Sequence, residues 1–213
     1  LNLDSISFMA CNPCIGGTCK GQIVREIDAL GGEIGINADK AMMQIRILNE
    51  SKGPSVWALR AQEDKNLYHM YMKHTLENTK NLSIIQCEAK KILTRDNHVI
   101  GVQTTHNEVF YCQAIIIATG VYLNSKIIIG NYTNNSGPNG FPRATYLTKN
   151  LLDLGFSIKR FKTGTPARIN KKSVDFIELR QINEMNDEYH AAGGNGFVKT
   201  LISKVNQLPV VND

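Results

Sequence analysis

The sequence predicts a layered α/β domain. Three observations carry the prediction: apolar residues at helical spacing early in the chain, short Val-, Ile- and Thr-rich segments in its middle, and a continuous apolar stretch after them. The 213 residues, 42% hydrophobic and 20% charged, match an ordinary globular chain and exclude a disordered or fibrous one. No apolar run approaches the roughly 20 residues that span a bilayer, so no membrane association is expected.

The elements follow in order. Residues 11–21, Cys-Asn-Pro-Cys-Ile-Gly-Gly-Thr-Cys-Lys-Gly, form a Pro/Gly-rich loop leading into a helix whose apolar positions are Ile23, Ile27 and Leu30. Thr18 is the expected N-cap, and Gly31-Gly32 supplies the left-handed stop. A second helix is expected after Ser51-Lys52-Gly53-Pro54. It carries Val56, Leu59, Leu67, Met70, Tyr71 and Leu76, with Pro54 in its first turn. From Leu82 the period changes. Leu82–Cys87, Lys91–Thr94, His98–Thr104 and Glu108–Cys112 read as a strand and then hairpins, turned at Asp96-Asn97 and His106-Asn107. Ala114–Gly120 reads as a strand buried on both faces, as in a parallel sheet. Leu147–Leu154 is the last helix, stopped by Gly155, and no internal repeat is visible.

The net charge of +5, from 24 Lys and Arg against 19 Asp and Glu, is too mild for a dedicated nucleic-acid wrapper. Residues 157–173 concentrate it in Lys159, Arg160, Lys162, Arg168, Lys171 and Lys172 without one acid. That run reads either as a phosphate contact or as a solvated basic loop. Five cysteines, three of them at Cys11, Cys14 and Cys19, make a poor disulfide framework and suit a reducing, cytoplasmic setting. The chain opens Leu1-Asn2-Leu3-Asp4, with no Met and no leader pattern, and reads as cut from something longer.

The 11–21 loop is the first candidate site. Glycines let backbone amides approach a ligand, and a helix N-terminus favours an anion or a polarised ring. The competing reading is a tight Gly-Gly turn, because the loop is neither a Walker loop nor a Gly-x-Gly-x-x-Gly fingerprint. Cys11 and Cys14 lack the second Cys pair or His pair of a zinc site, so no metal is expected. Near a helix end they read as activated thiolates or as buried inert thiols. Cys87 and Cys112 are expected in core or half-core positions without a role. The end of the apolar stretch, Ile117–Gly120, offers a second candidate, since open α/β sheets bind ligands at strand C-termini. The five His stand beside no Ser or Cys with an orienting third group, so no hydrolytic triad can be argued.

One ordered set of segments goes further: Cys11-Asn12-Pro13-Cys14-Ile15-Gly16-Gly17, Lys20-Gly21, Glu26–Gly32, Arg46-Ile47-Leu48-Asn49, Ser51–Pro54, Arg60-Ala61-Gln62 and Lys162–Pro166. Together, and over about Leu3–Phe176, they resemble the MnmG (GidA) family. The resemblance implies a Rossmann-like FAD-binding domain over 1–165 with a β-meander, lacking its first strand and glycine-rich turn. The start of an inserted domain and an unmatched tail then occupy 166–213. It implies a tRNA-modifying enzyme that adds a carboxymethylaminomethyl or aminomethyl group to carbon five of a wobble uridine, using FAD, NADH and methylenetetrahydrofolate. The implied partners are tRNA, an MnmE-type GTPase meeting a region outside this chain, and a second copy in a homodimer.

Residue by residue, the resemblance makes Cys11 the candidate catalytic cysteine. It places Asn12, Pro13, Gly16, Gly17, Ala89, Ala118, Thr119, Gly120 and Ala144 around the cofactor, and Lys52, Arg60, Lys162 and Arg168 toward tRNA. Cys14, Cys19 and Trp57 depart from the family's usual residues, as does Ala144, often Ser in relatives. After about Glu184 the likeness ends. A related folate-dependent tRNA uridine methyltransferase family shares the fold and cofactors, although Ser51–Pro54 favours MnmG. A non-catalytic remnant that binds RNA or a partner chain is the alternative of another class.

Overall fold

A computed structural model describes residues 1–164, 169–173, 175 and 210–211, and the chain divides into two units at Lys162/Thr163. In the first unit, β1 (Cys14–Gly16) leads into α1 (Gly21–Ala29) and α2 (Glu33–Ala41). Next come β2 (Met42–Leu48), β3 (Ala58–Glu63) and α3 (Lys65–Glu77). The three strands form an antiparallel sheet in the order β1-β3-β2, so the last strand in sequence is central.

The core on one face of this sheet is small. Ala38, Ala41, Tyr68 and Met72 are buried, with Ile6, Met9, Ile15 and Leu76 packed against them. Each large side chain fully buried there contributes roughly 1.5–3 kcal/mol. Asp64 caps α3, its Oδ1 accepting from the amides of Asn66 (2.9 Å) and Leu67 (3.0 Å).

The middle of the unit is the meander. It consists of β4 (Ala89–Arg95), β5 (His98–Thr104) and β6 (Val109–Tyr111), antiparallel in that order. Asp96 and Asn97 both adopt positive φ, as a two-residue hairpin turn requires. A short hairpin, β7 (Ile127–Ile129) with β8 (Tyr132–Asn134), and α4 (Leu147–Asp153) complete the unit. α4 seals the meander: Leu147 and Leu151 bury against Ile92, and Asn150 Oδ1 accepts from the Ile92 amide at 2.7 Å. Phe8 meets Phe141 edge to face at 5.5 Å, tying the N-terminal layer to the loop before α4. In the second unit, β9 (Ile169–Asn170) pairs in parallel with β10 (Val210–Val211).

Several expectations are corrected. Thr18 does not cap α1: Lys20 holds that position without a side-chain bond, and Thr18 Oγ1 accepts from Asn49 Nδ2 instead. The expected helix from Pro54 is a single 3-10 turn, Pro54–Val56, and Val56 and Leu59 do not belong to α3. Pairing on both edges makes Ala58–Glu63 a strand, so tertiary context overrides the apolar spacing. Leu82–Cys87 forms no strand. Nor does Ala114–Gly120. It joins no ladder among the described residues, and Ile116 is 92% exposed while Ile115 packs against the Ile92 cluster. The α/β class stands, but every ladder described in the first unit is antiparallel.

Candidate functional site

The Asn12–Gly17 bend is built into the edge of the β1-β3-β2 sheet. Pro13 O accepts from the Glu63 amide at 2.8 Å, and the Gly17 amide donates to Leu59 O at 2.6 Å. Gly17 O accepts in turn from Lys20 and Gly21, which starts α1. Backbone groups alternate direction along a strand, so Cys14 and Gly16 present theirs to the open side of edge strand β1. Of the bend's two glycine amides, Gly17's is therefore committed to the sheet and Gly16's faces outward. Gly16 itself sits at φ +85°, where a Cβ would stand 2.3 Å from Leu59 O. Only glycine fits there. Cys11 lies in the half-buried bend before β1, and all five cysteines are unpaired.

Ala89, Ala118 and Thr119 come together elsewhere. They line one cavity of about 300 Å³ with Ile92, Val102, Leu147 and the unpaired segment Ile115–Ile117. Its volume falls at the lower end of the range of small-molecule pockets. Gly120, at φ +55°, lies in the turn closed by the Tyr122 amide on Thr119 O, and is not among the lining residues. Ala144 is also outside that lining. Its amide donates to Tyr122 O (3.0 Å) and its carbonyl accepts from Asn124 (2.6 Å), so its backbone is already engaged. A broader depression of about 580 Å³ beside His98 and Tyr111 holds no predicted site residue.

The predicted basic residues are separated. Lys52 is exposed in the 3-10 turn Glu50–Lys52, Arg60 is half-buried in β3, and Lys162 is exposed at the end of the first unit. Arg168 lies outside the described residues. Among the described residues no group of three His, Cys, Asp or Glu is placed to hold a metal ion, and no helix is long and apolar enough to cross a membrane.

Two features were not singled out in the sequence. Arg46 stands directly opposite Arg60 across β2 and β3. Glu63, whose amide pairs with Pro13, has a fully buried side chain with neither carboxylate oxygen hydrogen-bonded. Burial first, and the charge of Asp39 second, push its carboxyl up to about 7. Tyr68 next to it is pushed up to about 12, by burial and then by Glu63. A strand register would have paired Arg46 with Arg60; no local signal marks Glu63 as buried.

Comparison with known proteins fixes the family. The model for "Glucose inhibited division protein A" (GidA) matches residues 1–200. The chain belongs to this family. The match runs past the point where the sequence motifs ended. Curated relatives carry the name tRNA uridine 5-carboxymethylaminomethyl modification enzyme MnmG. The one from Clostridium botulinum (strain Loch Maree / Type A3) is 56% identical over 179 residues, 84% of this chain and 29% of the relative. The one from Alkaliphilus oremlandii is 54% identical over 84% of this chain and 28% of its own length. Among solved structures, Aquifex aeolicus GidA matches in two crystal forms. Form I has TM-score 0.77 at 45% identity, covering 83% of this chain and 29% of that one. Form II has TM-score 0.78 at 44% identity, covering 84% and 30%. The chain thus spans less than a third of the GidA-family relatives it matches, and its mixed α/β fold is that of the corresponding region of Aquifex aeolicus GidA.

Proposed function

We propose that this chain is the flavin-binding and RNA-facing part of a GidA-family enzyme that modifies the wobble uridine of tRNA at carbon five. The observation that carries the reading is 56% identity, over 179 residues, to a relative named for tRNA uridine 5-carboxymethylaminomethyl modification. In this reading residues 1–165 are the FAD-binding domain and 166–213 begin an inserted domain. The cosubstrates are NADH and methylenetetrahydrofolate. The partners are tRNA, an MnmE-type GTPase and a second copy, in the cytoplasm.

The residues fit a flavin dinucleotide in two respects. The cavity lined by Ala89, Ala118 and Thr119 is apolar, and small methyls on two sides leave room for a flat ring system. The unladdered backbone of Ile115–Ala118 supplies polar groups at its wall, as the adenine end needs. The outward edge at Cys14 and Gly16 suits the ring end, with Asn12, Pro13 and Gly17 shaping the bend. Gly120 and Ala144 act by positioning the cavity wall, because Ala144's amide and carbonyl bond Tyr122 and Asn124. FAD, when bound, supplies the redox chemistry by which a one-carbon unit is handled. The chain's own residues bind and orient it, and Cys11 is the nucleophile candidate beside the ring. Lys52, Arg60, Lys162 and Arg168 meet the tRNA backbone.

The test is genetic and chemical. Deleting the coding region from the source organism and analysing tRNA nucleosides by mass spectrometry is expected to replace the carbon-five-modified wobble uridine with its unmodified form. Unchanged nucleosides contradict the reading.

A further inference from the structure

The β1-β3-β2 sheet has a second face that the core does not use. Ile15 packs against the Ala38 cluster, so the alternate positions turn away from it. Cross-strand partners share a face, and the register places Cys14, Gln62 and Gln44 in one rung and Gly16, Arg60 and Arg46 in the next. Two guanidinium groups therefore stand on adjacent strands of one outward face, and their third neighbour is a glycine without a side chain. Like charges directly opposite each other destabilise a sheet. Among the described residues neither arginine has an acidic partner within ion-pair distance.

Arg46 is nonetheless held in place. With its amide oxygen turned toward the guanidinium, Gln44 accepts from Nη2 (3.0 Å) and Nε (3.1 Å), which leaves Nη1 available. Beyond the end of β2, the turn into β3 carries exposed Lys52 and then Trp57, 46% exposed, whose indole N–H donates to Glu50 O at 3.1 Å. That bond fixes the ring while leaving much of it open. Guanidinium groups recognise phosphate in a bidentate manner, and an exposed aromatic face stacks a base. A tethered guanidinium opposite a second one, with an exposed ring held just ahead of the strand that carries Arg60, suits a nucleic-acid strand better than an isolated phosphate.

We propose that Arg46 and Arg60 clamp a single phosphate of the RNA strand, with Trp57 as a stacking platform for a neighbouring base. The proposal rests on the tRNA reading above and deepens it, naming Arg46 and Trp57 as contacts and giving Arg60 a partner.

The test is fluorescence anisotropy of the 213-residue chain with a labelled anticodon stem-loop RNA, titrated between about 50 and about 200 mM salt. Arg46→Gln and Arg60→Gln are each expected to weaken binding and to flatten the log–log salt slope by about one phosphate contact, ~0.7 for a single strand. The double variant flattens it no further, because the phosphate is shared. Trp57→Ala lowers affinity roughly tenfold at unchanged slope. Lys80→Gln, on the exposed end of α3's connection, matches the parent. Melting temperatures of the arginine variants stay at or above the parent's, since a like-charge pair is removed.

Parent-like slopes in both arginine variants, with a parent that binds RNA, overturn the clamp and leave the tRNA reading standing. A parent that binds no RNA overturns both. A double variant that loses two contacts means separate phosphates and overturns the shared clamp. A fall in melting temperature makes the pair structural, and displacement of the RNA by saturating FAD assigns it to the dinucleotide; either result overturns the proposal.

Discussion

Glu63 is the residue whose chemistry is most exposed to experiment. Its carboxyl is near 4.5 when unfolded and about 7 when folded, so the unfolded chain gives up the proton first as pH rises. Stability is then fully present below about 4.5, falls through the interval and levels off above about 7. Denaturant unfolding of Glu63→Gln at several pH values is expected to remove that fall, worth about 3 kcal/mol at most. A parallel loss in variant and parent contradicts it. Gly16 and Gly31 make a second comparison. Both have positive φ, but a Cβ at Gly31 meets nothing within 4 Å, whereas at Gly16 it meets Leu59 O. Gly31→Ala is expected to cost about 1–2 kcal/mol, and Gly16→Ala clearly more, in thermal unfolding. The Gly-Gly bend was legible in the sequence because glycine is the only residue that tolerates such geometry. Glu63 was not, because its burial depends on β1 and α2, from earlier parts of the chain, packing against β3.

At the scale of elements, the meander was legible because its turns carry Asp-Asn and His-Asn pairs and its strands carry Ile, Val and Thr. α2 escaped notice: its nine residues include Gly35 and Asn37, and Asn37 is buried through bonds to Glu33 and Met72 that no periodicity encodes. β2 is exposed on nearly every residue, which removes the alternation that announces a half-buried strand. The helix that contains α3 was expected to begin about three turns too early, since its true start signal is Asp64 and not Pro54. Asp64→Ala is therefore expected to destabilise the first unit by about 1 kcal/mol. Asn150→Leu removes the acceptor of the Ile92 amide, leaves that donor unmade and loosens α4 from β4. Its expected cost is roughly 1–3 kcal/mol in chemical denaturation. A stability equal to the parent's in either variant contradicts the assigned bond.

At the scale of the whole molecule, the family was legible as an ordered set of short motifs, and the match over residues 1–200 bears it out. The site was legible only in part, because the motifs name residues and not the surfaces on which they meet. Ala89, Ala118 and Thr119 converge on one cavity; Ala144, assigned with them, is engaged with Tyr122 and Asn124 instead. The account depends on that cavity and the outward edge of β1 serving one dinucleotide. The direct measurement is an amide-resolved NMR titration of the labelled chain with FAD. Saturable shifts at Ala89, Ala118, Thr119, Cys14 and Gly16, with His98 and Tyr111 unmoved, are the predicted result; shifts confined to the His98–Tyr111 depression, or none that saturate, contradict it.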